Sequence, residues 1–321
     1  MATVEKKPIP LEFEQPLAIL AQNMEALEKQ LSDNPELEGD LERMQDQYNS
    51  LKRSLYSNLR PIDHLAIARH PQRPYTRDYF STWDPGWVEL HGDRKGVDDG
   101  AMVGALLEID GIKMVAVGTQ KGRTLRDKQH CNFGMPQPEG YRKALRLFHH
   151  ANKFHLPILC LIDTPGAYPG LTAEEHNQSQ AIAENLMELA GVTVPVVAAV
   201  TGEGGSGGAL AIGVANRILM LEHSVYSVIT PEGCASILWR SNDKVSEACQ
   251  AMKMTAKEIL QLGVIDQVIS EPLGGAHHDY QTAAENLKKA IVAQMTELMK
   301  LSPEQVRKDR QDKFRRFGSF R

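Results

Sequence analysis

No stretch of this sequence is apolar for long enough to cross a membrane; runs such as Val194 to Val200 have only the length of a strand. The opening segment MATVEKKPIPLEFEQ lacks an apolar core, so no secretory signal is expected and the chain reads as cytoplasmic. Cysteine is scarce. Cys131, Cys160, Cys234 and Cys249 stand far apart with no C-x-x-C pair, which argues against a zinc site and against a disulfide framework. The 11 histidines are scattered, with His149-His150 and His277-His278 the only adjacent pairs and no H-E-x-x-H. Adjacent side chains on a helix diverge, so no metal is expected. An excess of positive charge is missing too. The net charge of −5 argues against general binding to nucleic acid or to membrane surfaces.

What remains is an ordinary globular balance, 42% hydrophobic and 24% charged over 321 residues, enough for one large domain or two smaller ones. It begins with a helical seam. Leu17, Leu20, Met24, Leu27 and Leu31 are spaced three, four, three and four apart. Beyond Ser32-Asp33-Asn34-Pro35 the alternation resumes at Leu37, Leu41, Met44, Tyr48, Leu51 and Leu55. This spacing predicts an antiparallel helical hairpin, an arm that packs on its own domain or also grips another subunit. Pro71 to Gly100 reads as an irregular connector with a turn at Asp84-Pro85-Gly86.

The period then changes. Ala101–Glu108 and Lys113–Gly118 read as strands about the turn Asp110-Gly111, followed by a helix from about Pro138 to His155. Strand Pro157–Ile162, turn Asp163–Gly170, helix Thr172–Ala190 and strand Val194–Val200 come next. A glycine loop, Gly202–Gly208, leads into a short helix, and Arg217–Leu221 and Val225–Val228 are again strand-like. Asp279–Lys300 and Pro303–Arg316 read as helices. Repeated strand–loop–helix units predict an α/β domain with mostly parallel strands.

The segment richest in chemistry is Val196-Val-Ala-Ala-Val-Thr-Gly-Glu-Gly-Gly-Ser-Gly-Gly-Ala209. A buried strand runs into a loop with five glycines that opens a helix. Such a place lets a ligand approach the backbone and offers unpaired N–H donors, which suits a phosphate or an oxyanion. Three chemistries fit the string. Gly202, Gly204 and Gly207 satisfy the dinucleotide pattern G-x-G-x-x-G, with Glu222 twenty residues beyond the first. Gly204, Ser206 and Gly208 satisfy the serine-hydrolase pattern G-x-S-x-G, and the order Ser206, Asp266, His277 is formally available for a triad. The third is an oxyanion hole built from the N–H groups around Gly204 and Gly205.

The neighbour one strand–loop–helix unit earlier weighs against a dinucleotide fold. Ile162-Asp-Thr-Pro-Gly-Ala-Tyr-Pro-Gly170 pairs with the glycine loop as two loops at the carboxyl ends of successive strands, which suggests one crevice. The basic loop Lys121-Gly-Arg123-Thr-Leu-Arg126-Asp-Lys128 is either solvated or an anchor for an anionic ligand or a carrier protein. The tail from Val306 to Arg321 interleaves cations with Phe314, Phe317 and Phe320; docking on its own protein, or solvation, is expected over RNA binding.

Taken together, Gln120-Lys-Gly-Arg123, Asp163-Thr-Pro-Gly-Ala-Tyr-Pro-Gly170 and Gly202-Glu-Gly-Gly-Ser-Gly-Gly-Ala209 resemble the carboxyltransferase branch of the crotonase superfamily. Within it they resemble the α-subunit family of the multisubunit bacterial acetyl-CoA carboxylase, over nearly the whole chain. The resemblance implies a crotonase-like ββα superhelix with an N-terminal helical arm and C-terminal helices. The expected divisions are residues 1–74, 75–272 and 273–321. It implies carboxyl transfer from N-carboxybiotin, held on the biotin carboxyl carrier protein, to acetyl-CoA, forming malonyl-CoA for fatty acid biosynthesis; propionyl-CoA is the alternative acceptor. It further implies a zinc-ribbon β subunit, an α2β2 heterotetramer, and biotin carboxylase in the larger complex, with no metal in this chain. By the same resemblance Gly204 and Gly205 hold the biotin ureido oxygen through their N–H groups. Gly166, Ala167 and Tyr168 wall the biotin side of the crevice, Lys121 and Arg123 contact substrate, and Gly207 and Gly208 let the next helix pack closely.

Overall fold

A computed structural model describes residues 9–31 and 34–318. The first eight residues, Ser32 and Asp33 of the interhelical turn, and Phe320 and Arg321 of the basic tail lie outside the described residues. The heptad spacing is realised as helices α1 (Gln15–Gln30) and α2 (Glu38–Ser57), which pack on each other. Leu17 and Met24 of α1 are buried, whereas α2 has no buried residue. Polar contacts tie the arm together, and the Tyr56 hydroxyl at the end of α2 also lies 3.2 Å from the Gly274 carbonyl of the body. The Tyr56 hydroxyl donates to Glu14 Oε1 at 2.5 Å, and the Leu11 N–H donates to Glu14 Oε2 at 2.8 Å.

Helices α3 (Pro61–Ala68) and α4 (Thr76–Trp83) follow. Helix α4 falls in the stretch expected to be an irregular connector. Tyr79 and Phe80 are fully buried against one face of the sheet, and this packing outweighs the weak local pattern. Strands β1 (Val88–Glu89), β2 (Met102–Ile109) and β3 (Ile112–Thr119) are antiparallel neighbours. The turn of the β2–β3 hairpin takes positive φ at Asp110 (46°) and Gly111 (82°), as a two-residue type I′ connection requires.

The parallel part then winds through α5 (Leu125–His130), α6 (Pro138–Phe154), β4 (Ile158–Thr164), α7 (Leu171–Glu175), α8 (Gln178–Gly191) and β5 (Val196–Gly205). Next are α9 (Ser206–Leu210), β6 (Arg217–Leu221), β7 (Val225–Ser227), α10 (Pro231–Trp239), α11 (Val245–Met252), α12 (Ala256–Gln261) and β8 (Gln267–Ile269). Helices α13 (Tyr280–Leu298) and α14 (Pro303–Arg315) end the described chain.

The sheet order is β1-β2-β3-β4-β5-β6-β8, with β7 pairing the end of β5. Each new parallel strand is added on the same side. A dinucleotide-binding sheet reverses its order at a switch point, and no reversal occurs among the described strands. The central strands are buried on both faces, which is why they read as unbroken apolar runs. Val196, Ala198 and Val200 face a core built with α6 and α8, where Tyr141, Leu147, Phe148 and Leu189 lie. Val197 and Ala199 face a second core built with α4 and α13, containing Phe80, Leu287, Ile291 and Met295.

Two expected elements are corrected. The helix anticipated over Thr172–Ala190 is broken at Asn177, whose φ is +65°. Tertiary contacts hold the break: the Arg142 guanidinium donates to the His176 carbonyl at 3.0 Å, and the Gln178 amide donates to the carbonyls of Pro136 and Tyr168, each at 3.0 Å. Second, the glycine loop is not a loop throughout. Strand β5 continues to Gly205, and Gly204 is registered with Thr164 of β4 and with Tyr226 of β7. The described part of the basic tail docks on its own protein, as expected. Arg310 is fully buried and donates to Asn216 Oδ1 at 2.7 Å and to the Val192 carbonyl, while Lys313 pairs with Asp266.

Imidazoles fill the junction between arm and body. The rings of His70 and His277 stack at 3.8 Å, and the Nδ1 atoms of His64 and His223 lie 3.3 Å apart. His70 Nδ1 accepts the Gln72 N–H at 3.2 Å while Nε2 meets the Ile9 carbonyl at 2.9 Å, so the ring is neutral with its proton on Nε2. Both His277 nitrogens are buried without a hydrogen-bond partner. Burial lowers the pKa of all four rings, that of His223 to about 4. A histidine whose folded pKa is depressed contributes its stability fully above its unfolded pKa of about 6.5, and loses it as pH falls toward the folded value. Thermal unfolding from about pH 7.5 to about pH 5 is therefore expected to show stability dropping with acid, by up to ~1.4 kcal/mol per pH unit for each ring held neutral. His277→Gln should flatten that slope; an unchanged slope would show that the junction histidines do not set it.

Candidate functional site

Two backbone segments meet where β4 and β5 end. Thr164 closes β4 and the chain turns through Pro165 and Gly166. The Thr164 hydroxyl donates to the Gly166 carbonyl at 2.8 Å and accepts the Gly166 N–H at 3.1 Å. Gly166 has φ +148°, in the region that favours glycine. Opposite it, β5 stops at Gly205 and α9 starts at once.

None of the five motif glycines has positive φ; the left-handed residue there is Ser206, at +54°. The glycines are required by proximity instead. A Cβ on Gly202 would lie 2.3 Å from the Asp163 carboxylate, and one on Gly204 would lie 2.7 Å from the Tyr226 ring. On Gly205 it would lie 2.1 Å from the Pro165 carbonyl oxygen, and on Gly208 2.4 Å from the Ala167 nitrogen. Gly207 differs, with its nearest neighbour, Ile182, at 3.8 Å. Close packing of helix on loop therefore explains Gly208 but not Gly207. Absence of side chains lets the β7 aromatic, the Asp163 carboxylate and the Pro165–Ala167 backbone all approach one short stretch of chain.

Beside these glycines runs a line of charge, buried at Asp163 and Glu203, largely buried at Lys121 and part-exposed at Arg69 and Glu232. Lys121, just past β3, places its Nζ 2.8 Å from Asp163 Oδ1 and 2.9 Å from Glu203 Oε1. The other Glu203 oxygen accepts from Arg69 Nε at 2.7 Å, and Arg69 reaches Glu232, near the start of α10, at 2.5 Å. Asp163 Oδ1 also accepts the Glu203 N–H at 2.9 Å. Burial opposes the Lys121 ammonium, but the Asp163 and Glu203 carboxylates outweigh it and hold its pKa above the ordinary lysine value. Burial likewise opposes ionisation of Glu203, and Lys121 and Arg69 outweigh it and keep its pKa below the ordinary value. Ions this dry persist only when each is paired and hydrogen-bonded.

The structure brings together Gly204, Gly205, Gly166 and Ala167. Tyr168 adjoins them, its N–H donating to the Pro136 carbonyl at 3.0 Å and its ring lying over Gly170. Lys121 joins the group from below, with its ammonium engaged by two carboxylates rather than turned to the crevice. Arg123 is not brought in. Its guanidinium pairs with Asp78 and lies 4.8 Å from the centre of the Tyr75 ring. Sequence reading missed the roles of Glu203, Asp163 and Arg69. The available signal was a lone carboxylate inside an apolar, glycine-rich strand, which demands a buried cation.

The two rival chemistries do not assemble. Asp266 accepts the Ile218 N–H at 2.6 Å and pairs with Lys313, His277 is stacked on His70, and Ser206 is bonded to neither. The Glu222 carboxylate accepts the Glu271 N–H at 3.0 Å, and α9 is only five residues long. What the site presents is a glycine-rich corner where two main chains meet, on a rigid, charge-pinned support.

Comparison with known proteins shows the family. A family described as acetyl co-enzyme A carboxylase carboxyltransferase-like matches residues 10–318. An acetyl-coenzyme A carboxylase carboxyl transferase subunit alpha from Synechococcus elongatus is 48% identical over 99% of this chain and 98% of its own length. A subunit of the same name from Haemophilus influenzae is 49% identical over 96% of this chain and 98% of its own length. Among solved structures, a transcarboxylase 12S matches with TM-score 0.54 at 20% identity, over 68% of this chain and 41% of that one. The β subunit of a P. aeruginosa geranyl-CoA carboxylase matches with TM-score 0.53 at 16% identity, over 71% and 44%. At such identities the structural likeness speaks for the crotonase-like carboxyltransferase fold alone.

The glycine packing makes a sharp contrast testable. Gly205→Ala should destabilise the chain by about 1–3 kcal/mol, because its methyl meets fixed backbone, not a movable side chain. Gly207→Ala should stay within about 1 kcal/mol of wild type. Urea unfolding of both variants reads the difference, and equal losses would contradict the packing account.

Proposed function

The chain belongs to the acetyl co-enzyme A carboxylase carboxyltransferase-like family, and from that premise we propose that its backbone corner is the biotin-side half of the active site. It is the α subunit of an acetyl-CoA carboxylase carboxyltransferase and takes part in moving a carboxyl group from carboxybiotin to acetyl-CoA, giving malonyl-CoA. Both halves of that transfer place negative charge on oxygen: the ureido oxygen when the carboxyl group leaves, and the thioester oxygen when the acetyl proton is removed. We assign the first oxygen to the N–H groups of Gly204 and Gly205, the last two residues of β5. The observation that supports this reading is the meeting of two glycine-lined backbones, at Gly205 and Gly166, at the ends of β5 and β4. Fixed N–H dipoles at such a corner gain strength as charge develops, which favours the transition state over the bound substrate.

Gly166, Ala167 and Tyr168 form the adjoining wall in this assignment. Arg123, turned toward Tyr75 and Asp78, serves the support of that region rather than the reacting atoms. The donors for the thioester oxygen belong to a partner subunit, which we take to be a zinc-ribbon β subunit in an α2β2 assembly in the cytoplasm. Biotin reaches the corner on its carrier protein, with biotin carboxylase in the same larger complex. Exposed apolar side chains, Leu210 on α9 and Ile237, Leu238 and Trp239 on α10, support the need for a partner.

Reconstitution tests this reading. The isolated chain should form no malonyl-CoA, and addition of the purified β subunit with carboxylated carrier should restore synthesis. In that complex Ser206→Ala should cost roughly tenfold or less, since no base adjoins its hydroxyl. Abolition of activity by Ser206→Ala, or labelling of Ser206 by a fluorophosphonate, would replace the oxyanion reading with a covalent one.

A further inference from the structure

We infer that Glu203 is a positioning residue for the reaction, the anchor that sets where the Gly204 donor points; this rests on the assignment of Gly204 and Gly205 to the ureido oxygen. The Gly204 N–H belongs to the amide that joins Glu203 to Gly204, and that amide is planar, so whatever fixes Glu203 fixes the donor. Glu203 is fixed from three separate elements. Its own N–H donates to Asp163 Oδ1 at 2.9 Å, at the end of β4. One carboxylate oxygen is held by Lys121, which follows β3, at 2.9 Å, and the other by Arg69, which follows α3, at 2.7 Å. Lys121 ties the same two anchors together by also pairing with Asp163 at 2.8 Å.

Glycines on both sides of Glu203 leave the backbone no side-chain wedge of its own. The positions where Gly202 and Gly204 would carry a Cβ are taken by the Asp163 carboxylate and the Tyr226 ring. Pairing with β4 and β7 places this strand end, but glycine weakens a strand and leaves the peptide planes free to tilt unless a side chain grips them. The one long side chain in Gly202–Gly208 supplies the grip, and it is buried. Its charge gives the grip direction, because a carboxylate between two cations loses far more when shifted than an apolar side chain would. Arg69 continues the line to Glu232, so the seating of α10 and the aim of the donor are set by the same chain of ions.

The test uses the full chain reconstituted with its β subunit, and reads carboxyl transfer to free biotin together with deuterium exchange of the segment 196–210. Glu203→Gln keeps the shape and removes the charge. It should lower kcat by about ten- to a hundredfold with KM for the CoA substrate unchanged, and should speed exchange in that segment. Glu203→Asp, which restores the charge on a shorter arm, should recover part of the lost kcat. Should Glu203→Gln fail to assemble, Arg69→Gln removes only the outer, part-exposed clamp and should lower kcat several-fold with the same KM. Unchanged kcat in an assembled Glu203→Gln or Arg69→Gln complex would overturn the inference. So would unchanged exchange in 196–210, or equal losses in kcat and in affinity for the CoA substrate. A wild-type complex that does not carboxylate biotin would instead overturn the functional assignment, and the exchange measurement would still judge the anchor.

Discussion

The architecture around the site turns on one close approach, that of the backbone at Pro165–Ala167 to the backbone at Gly205–Gly208. The two main chains come this near because Gly205 and Gly208 carry no Cβ, and the 2.1 Å that separates a hypothetical Gly205 Cβ from the Pro165 oxygen leaves no slack. The elements around it fall into place accordingly. β4 and β5 run parallel so that both loops emerge at one edge of the sheet, and β7 slides beside the end of β5 because Gly204 leaves room for the Tyr226 ring. Helix α9 begins without any intervening loop, its first residue taking the left-handed turn that strand-to-helix reversal requires.

Pairing with β4 and β7 holds the corner within the sheet, and the charged line below adds a hold through side chains. Asp163, Lys121, Glu203, Arg69 and Glu232 alternate in sign and draw on five separate parts of the chain. The same solution recurs away from the site. Arg73 and Glu271 are both completely buried and paired at 2.6 Å, and Glu271 also accepts the N–H groups of His223 and Ala276. Buried pairs of this kind add little net stability compared with apolar packing, but they tolerate only one arrangement. The protein thus places its buried charge where a unique geometry matters, at the junctions between elements, and leaves the sheet faces to aliphatic packing.

Much of this was legible in the sequence where burial imposes a pattern. The doubly buried strands β4, β5 and β6 show as apolar runs, Asp110-Gly111 announces its hairpin, and the seam of α1 and α2 shows as heptads. The helices α3, α4, α11 and α12 were hidden because segments of six to eight residues carry too few turns to show a period. The glycine motif was read locally, as a loop open to a ligand. Its glycines instead continue β5 and serve neighbours that are distant in sequence, and distance in sequence is what a local reading cannot see. Lys121 was identified as a functional residue through its family motif, but its partners Asp163 and Glu203 lie 42 and 82 positions away. Only the three-dimensional arrangement reveals that its charge is already spoken for.

The one-directional order of the sheet also bears on how the chain comes to be folded. From β3 through β4, β5 and β6 to β8, each parallel strand joins the edge left by the one before it, with the intervening helices laid against the faces as they appear. No later strand has to be threaded between two that are already paired. A chain emerging from the ribosome N-terminus first can therefore build from the β2–β3 hairpin outward, closing short loops at each step instead of waiting for distant partners. The exceptions are α13, which covers the face lined by Val197 and Ala199, and α14, whose buried Arg310 bonds back to Val192 and Asn216 on either side of β5. Until those two helices have been made, the central strands lack part of their cover, and the nascent protein carries an open flank that they later shut.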